Sequence, residues 1–154
     1  MLKRRPHGER YNGCTHSTVE ANLKSKVEPS LFDLVASGRV FVVAEIGKNF
    51  IQTQEERPTE EYLENAKALV KASHEAGADA VKFQTHNVED EQLNIHVVAP
   101  HFKGADRYSW LTRNTNATPL DAFWRPLKAY CDELGIIFHS TPMSRGAARK
   151  LNEL

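Results

Sequence analysis

Three short apolar runs, each ending in polar residues, constrain the fold more than anything else in the sequence. They are Val40-Phe41-Val42-Val43-Ala44-Glu45-Ile46-Gly47, Asp79-Ala80-Val81-Lys82-Phe83-Gln84 and Ile136-Ile137-Phe138-His139-Ser140-Thr141. Near-continuous runs of branched apolar residues predict strands of a parallel sheet, buried on both faces. Glu45 then falls where a strand gives way to its loop, and a carboxylate buried there needs a partner or a task. Helical patterns separate the runs. Tyr62, Leu63, Ala66, Leu69 and Val70 share one face of a helix that opens at Pro58-Thr59-Glu60-Glu61, with Thr59 as N-cap, and stops at Gly77. Leu120, Phe123, Trp124, Leu127, Tyr130, Cys131 and Leu134 form a second stripe. Thr118 caps it, Pro119 takes its first position, Asp121 reaches back to the cap and Gly135 ends it. A last helix starts at Ser144 and turns Ala147, Ala148 and Leu151 inward.

Strand-helix repeats without hairpin signals predict right-handed crossovers and a parallel sheet. A doubly wound sheet would carry a glycine-rich phosphate loop after its first strand, whereas Gly47-Lys48-Asn49-Phe50-Ile51 has a single glycine. The expected fold class is α/β, as the first three βα units of a TIM-type (β/α)8 barrel with its active groups at the strand C-termini. A complete barrel has eight units and about 250 residues, so 154 residues with three units read as an incomplete one. Residues 1–38 are expected to be an N-terminal arm, partly disordered, with a weak amphipathic piece at Ser30–Val35; residues 39–154 are the truncated N-terminal portion of the barrel. The connection Thr85–Ala117 is long enough to suggest a functional loop or lid, with a helical turn at Arg107–Leu111.

Charge excludes some functions. Lys+Arg and Asp+Glu number 20 each, so nothing global favours nucleic acid or a membrane surface. No apolar run is long enough to span a bilayer, and Lys3, Arg4 and Arg5 are followed by no apolar core of a secretory signal. Cys14 and Cys131 are far apart and read as free thiols in a reducing cytosol, so a cytoplasmic location is expected; Cys131 belongs to an apolar stripe and reads as core. His86, His96 and His101 have no metal-ligand spacing.

The strand ends carry the chemistry. Lys82 lies inside an apolar run, where a solvated surface lysine is out of place. It can hold a phosphate or carboxylate as a point charge, or form a Schiff base. Gln84, two residues on, points the same way and offers both donor and acceptor. Thr141 supplies a hydroxyl, for a ligand or for a turn. Glu45 can act as acid or base, hold substrate hydroxyls, or pair with Lys82.

Ala44-Glu45-Ile46-Gly47-x-Asn49, Gly77-Ala78-Asp79-Ala80-Val81-Lys82-Phe83-Gln84-Thr85 and Ser140-Thr141-Pro142 resemble the sialic acid synthase family, the N-acetylneuraminate synthases and their legionaminic and pseudaminic acid relatives. His86-Asn87-Val88-Glu89-Asp90-Glu91 and Ser144-Arg145-Gly146-Ala147-Ala148 are similar to the bacterial members, so the resemblance covers about residues 40–154. It implies a condensation of phosphoenolpyruvate with the aldehyde of an open-chain N-acetylated amino sugar of the N-acetylmannosamine type. Water adds, phosphate leaves, and a nine-carbon 2-keto acid results. By the same resemblance a divalent metal, manganese or magnesium, polarises the aldehyde. Lys82 and Thr141 would hold phosphoenolpyruvate and Gln84 the sugar, Glu45 would lie in the sugar and metal region, and Glu45 and Lys82 would be the catalytic pair. Asn49 would also contact substrate, although the family's Asn-His is Asn49-Phe50 here.

The family's metal-binding histidines, its Lys-Ile-Gly-Ser strand and its antifreeze-like domain all fall beyond residue 154, so no metal ligand is assigned and the chain alone is expected to be inactive. A family-type homodimer, or association through exposed sheet edges, is the expected assembly. Two rival readings stand beside the synthase: a Schiff-base aldolase using Lys82, and a non-catalytic fragment that associates with a partner.

Overall fold

The computed structural model describes residues 33, 36–96, 98 and 106–154. The arm expected over residues 1–38, Cys14 and His101 therefore lie wholly or mostly outside the described residues. Strand β1 (Val43–Gly47) is followed by α1 (Thr59–Glu75), β2 (Ala80–Thr85), the short α2 (Val88–Glu91) and α3 (Arg107–Ala117). A π-helical turn, Leu120–Trp124, runs into α4 (Arg125–Leu134), and β3 (Ile137–Pro142) and α5 (Arg145–Leu151) complete the order. The strands form one parallel sheet in the order β1-β2-β3.

One face of this sheet is covered. Ile46, Val81 and Phe83 pack with Tyr62, Leu63, Ala66 and Val70 of α1 and with Phe123, Trp124, Leu127 and Cys131. Phe50 and Phe123 lie 4.9 Å apart between ring centres, and Phe83 meets Trp124 nearly edge-on at 6.1 Å. Both helical stripes read from the sequence thus face the core, and Cys131 is buried there, its thiol pushed up to about 12 by desolvation. The other face is open among the described residues, with Val43 42% and Ile137 38% exposed. This corrects the expectation of strands buried on both faces. Branched residues favour a strand whether or not its second face is covered, and here the helices cover one side. The first run also begins its strand later than its composition suggests: Val40 is 80% exposed and pairs with nothing in the sheet.

Helix boundaries show where local signals compete. Pro58, not Thr59, takes the N-cap position of α1, and no side-chain cap bond forms, although Glu60 and Glu61 still lie in the first turn. Thr118 does not cap the next helix, because α3 extends to Ala117 and claims it first: Thr118 Oγ1 donates to Asn114 O at 2.9 Å. Pro119 occupies the cap position and Asp121 pairs with Arg125 at 2.8 Å rather than reaching back. The helical turn expected at Arg107 is a full helix of 11 residues, capped by Asp106, which accepts from Ser109 N at 3.0 Å. Thr85–Ala117 is therefore partly regular rather than all loop. Gly77 and Gly135 end α1 and α4 at φ 84° and 71°, and Ser144 caps α5 by accepting from Ala147 N at 3.1 Å.

Candidate functional site

The register places the candidate residues in two rows across the open face. Glu45 pairs with Lys82, and Lys82 with His139. Two residues further on, Gln84 pairs with Thr141. Residues two apart on a strand share a face, so Glu45, Lys82, Gln84 and Thr141 lie together on one side near the C-terminal end of the sheet. A bulge sharpens the convergence. Glu45 is opposite Lys82 but Gly47 is opposite Phe83, so β1 carries one extra residue, and Ile46 turns into the core while Glu45 stays on the open face. Gly47 has φ 55°, and a Cβ built on it would lie 3.5 Å from Glu45 Oε1 and 3.7 Å from Gln84 Nε2. Both side chains therefore reach the same spot above Gly47.

Lys82 Nζ donates to Glu45 Oε2 at 2.5 Å, with 33% of the lysine side chain and 49% of the glutamate side chain exposed. Of the uses open to Glu45, pairing with Lys82 is the one the structure shows. Glu45 is thus not buried, contrary to its sequence reading, and its partner is one that reading offered. An exposed pair of this kind contributes about 0–1 kcal/mol, so an incoming phosphate or carboxylate can take over the lysine at little cost. Asn49 sits exposed in the turn after Gly47, its N–H donating to Ile46 O at 3.0 Å, and no hydrogen bond among the described residues joins it to the other four.

His139 was missed as a site residue, though its spacing two before Thr141 was a usable signal. On the covered face Thr85 Oγ1 and Ser140 Oγ share a buried hydrogen bond of 2.7 Å, which locks β2 to β3 below the site. His86 is not in the open row. It is buried, and its Nδ1 meets both oxygens of Glu91 at 2.9 and 2.8 Å; His96 is exposed. Lys48 was also missed, and only the tertiary structure reveals it. Its amine is enclosed over the rings of Phe50 and Trp124, at 5.5 and 5.9 Å from their centres. Desolvation, helped by the charge of Lys150, holds it down at about 7.

The implied divalent metal does not fit the described residues. Among them no group of three His, Cys, Asp or Glu side chains lies together, and Glu45, the acid on the open face, is engaged by Lys82.

A parallel α/β sheet with helices on one side and a cluster of acid, amine, amide and hydroxyl near its strand C-termini is the class of protein these features define. The NeuB family model matches residues 69–154, more than half of the chain, and the chain belongs to that family, the sialic acid synthases. It is 29% identical over 118 residues to the N-acetylneuraminate-9-phosphate synthase of Homo sapiens, a match covering 74% of this chain and 30% of that protein. The solved N-acetylneuraminic acid synthetase of Leptospira borgpetersenii, in complex with citrate, superposes with a TM-score of 0.50 at 22% identity, over 74% of this chain and 33% of that one, and shows the likeness of fold. A spore coat polysaccharide biosynthesis protein of Bacillus subtilis gives a TM-score of 0.43 at 30% identity, over 74% and 26%. The chain spans about a third of the length of these relatives. Among the described residues no helix is long and apolar enough to cross a membrane.

Proposed function

We propose that the open face supplies the phosphoenolpyruvate- and sugar-binding rim of a sialic acid synthase-type condensation. The observation that carries this reading is the pair of rows Glu45–Lys82 and Gln84–Thr141 on one open face. Lys82 and Thr141 hold phosphoenolpyruvate, Lys82 as a cation facing its phosphate or carboxylate. Gln84 holds the sugar, with Glu45 beside it and Asn49 at the edge. C3 of phosphoenolpyruvate bonds to the aldehyde carbon of an N-acetylmannosamine-type sugar, and the aldehyde oxygen takes up a proton. Water adds at C2, and phosphate leaves as the 2-keto group forms. Binding Lys82 and Glu45 in one row keeps the anionic donor and the sugar side by side, as a bond-forming step requires.

In this reading the uncovered face is the inner side of a (β/α)8 barrel, the location is cytoplasmic, and the free edges of β1 and β3 meet further strands. The divalent ion would need ligands other than the described ones, and no step is routed through it. Turnover then requires residues beyond this rim. The chain mixed with phosphoenolpyruvate, N-acetylmannosamine and manganese should form no product; product at a normal enzymatic rate would overturn that part. Binding is the direct test. Lys82→Met should weaken phosphoenolpyruvate binding by about tenfold or more, the scale of a lost hydrogen bond to a charged group. Unchanged affinity in a calorimetric titration would sink the assignment.

A second reading has its own support. Val42, Val43 and Ile137 are exposed large apolar residues on or beside the uncovered sheet, and a sheet with two free edges favours association. The chain would then act as a fragment that pairs with a partner or with itself.

A further inference from the structure

We propose that Lys48, His86 and Trp124, with Arg107 and Lys150 toward solvent, form a second site, for a small oxyanion such as phosphate, on the helix-covered side of the sheet. Among the described residues five enclosed side-chain polar atoms have no hydrogen-bond partner, and three of them are Lys48 Nζ, His86 Nε2 and Trp124 Nε1, the others being Arg113 Nε and Asn114 Nδ2. Leaving such an atom unmatched costs about 1–3 kcal/mol, and folded proteins rarely tolerate it. The three belong to one region. Lys48 Nζ lies over the Trp124 ring at 5.9 Å, and His86 lies near enough to feel the charge of Lys48. His86 Nδ1 is spent on Glu91, which leaves Nε2 free.

Lys48 faces the charges of Lys150 and Glu91, and His86 those of Lys48, Glu91 and Arg107. Lys150 stands on α5, Glu91 on α2, Arg107 on α3 and His86 just after β2. Arg107 is within 3.7 Å of Glu91 and 39% exposed. Three basic side chains thus surround one carboxylate, and that carboxylate is already bound by His86. A cation has no place in such a cluster. An oxyanion can accept from Lys48 and Trp124, and from His86 once Nε2 takes up a proton, with Nδ1–H kept on Glu91. One ligand then answers all three orphaned atoms, and it sits near the C-terminal ends of parallel strands, where open α/β sheets gather ligands.

Binding is coupled to proton uptake. Burial leaves the Lys48 amine at about 7, and an anion needs the ammonium form. Affinity should therefore fall as pH rises above neutrality, more steeply than the Lys48 proton alone would give, because His86 Nε2 takes up a second. Inorganic phosphate titrated by calorimetry and by imidazole NMR at pH 6, 7 and 8 tests this. The His86 resonances should move on binding, and the dissociation constant should rise by at least about fivefold from pH 7 to 8. Lys48→Met should weaken binding at least about tenfold and make its pH dependence shallower, leaving the proton taken up by His86. Lys150→Gln, on the half-exposed helix surface, should weaken it several-fold while the fold stays intact by circular dichroism. In Lys82→Met the saturation curve read from the His86 resonances alone should be that of the parent, since a phosphate held by Lys82 lies on the other face of the sheet. Wild-type affinity in both Lys48→Met and Lys150→Gln, saturation without movement of His86, or no binding at pH 6 would each overturn the proposal.

Discussion

Lys48, just after β1, and Lys82, within the neighbouring β2, are both lysines, yet their surroundings make them opposites. Lys82 is partly exposed and paired with Glu45, whereas Lys48 is enclosed and unpaired. The consequence for stability has a definite sign. Lys48 is lowered from 10.5 to about 7 in the folded chain, so between those values the unfolded chain binds more protons and stability rises with pH. Below pH 7 the full penalty applies, on the order of 4–5 kcal/mol. Lys48→Met removes it. The variant should be more stable than the parent at pH 6–7, and the gap should narrow toward pH 10 in urea unfolding. A gap that widens with pH would contradict the burial argument. Asp79 works in the other direction. The Val42 N–H, at 2.8 Å, and then Arg39 hold its carboxylate below the ordinary range. Its contribution is present above the unfolded carboxylate value and disappears as pH falls through the depressed one. Asp79→Asn should therefore be less stable at neutral pH and converge with the parent in acid.

At the scale of elements, the join between α2 and α5 is the most sensitive contact. Asp90 accepts from Asn87 Nδ2 and Ser144 Oγ, both at 2.8 Å, and from Gly146 N at 2.5 Å. A side chain at Gly146 would run into the Asn87 amide and come within 2.6 Å of Asp90 Oδ1. Gly135 offers the comparison: its φ is 71° and nothing stands within 4 Å of an added Cβ. Gly135→Ala should cost about 1 kcal/mol, from backbone conformation alone. Gly146→Ala should cost more, because it also parts α5 from α2. Equal unfolding free energies for the two variants would show that the join carries no weight. Within the core, Trp124→Ala should cost about 3–5 kcal/mol, since that ring touches Phe83, Phe123 and Phe138.

For the whole molecule, one covered face and one open face decide its behaviour. Replacing Val43 and Ile137 by lysine should reduce self-association in sedimentation experiments without disturbing the helix-side core. Faster sedimentation of that variant would mean that the open face is not the sticky one. Much of this architecture was legible beforehand. Three strands, the two apolar helix stripes, the glycine stops and the shared face of Lys82 and Gln84 follow from periods of two and 3.6, which are properties of consecutive residues. The sequence by itself also determined that Glu45 and Thr141 lie toward the same end of the sheet, since the repeated strand-helix order dictates parallel strands; that β2 stands between their strands is seen only in the fold. Which face the helices cover was decided by tertiary structure, because Val43 and Val81 look equally apolar in a one-dimensional pattern. The same is true of the caps that Thr59 and Thr118 do not make, where a neighbouring proline or helix competed and won. Lys48 is the extreme case: a lysine in a polar turn becomes a buried amine only because Trp124, Glu91 and Lys150 arrive from distant parts of the chain to join Phe50, and burial is a property of what surrounds a residue rather than of its neighbours in sequence.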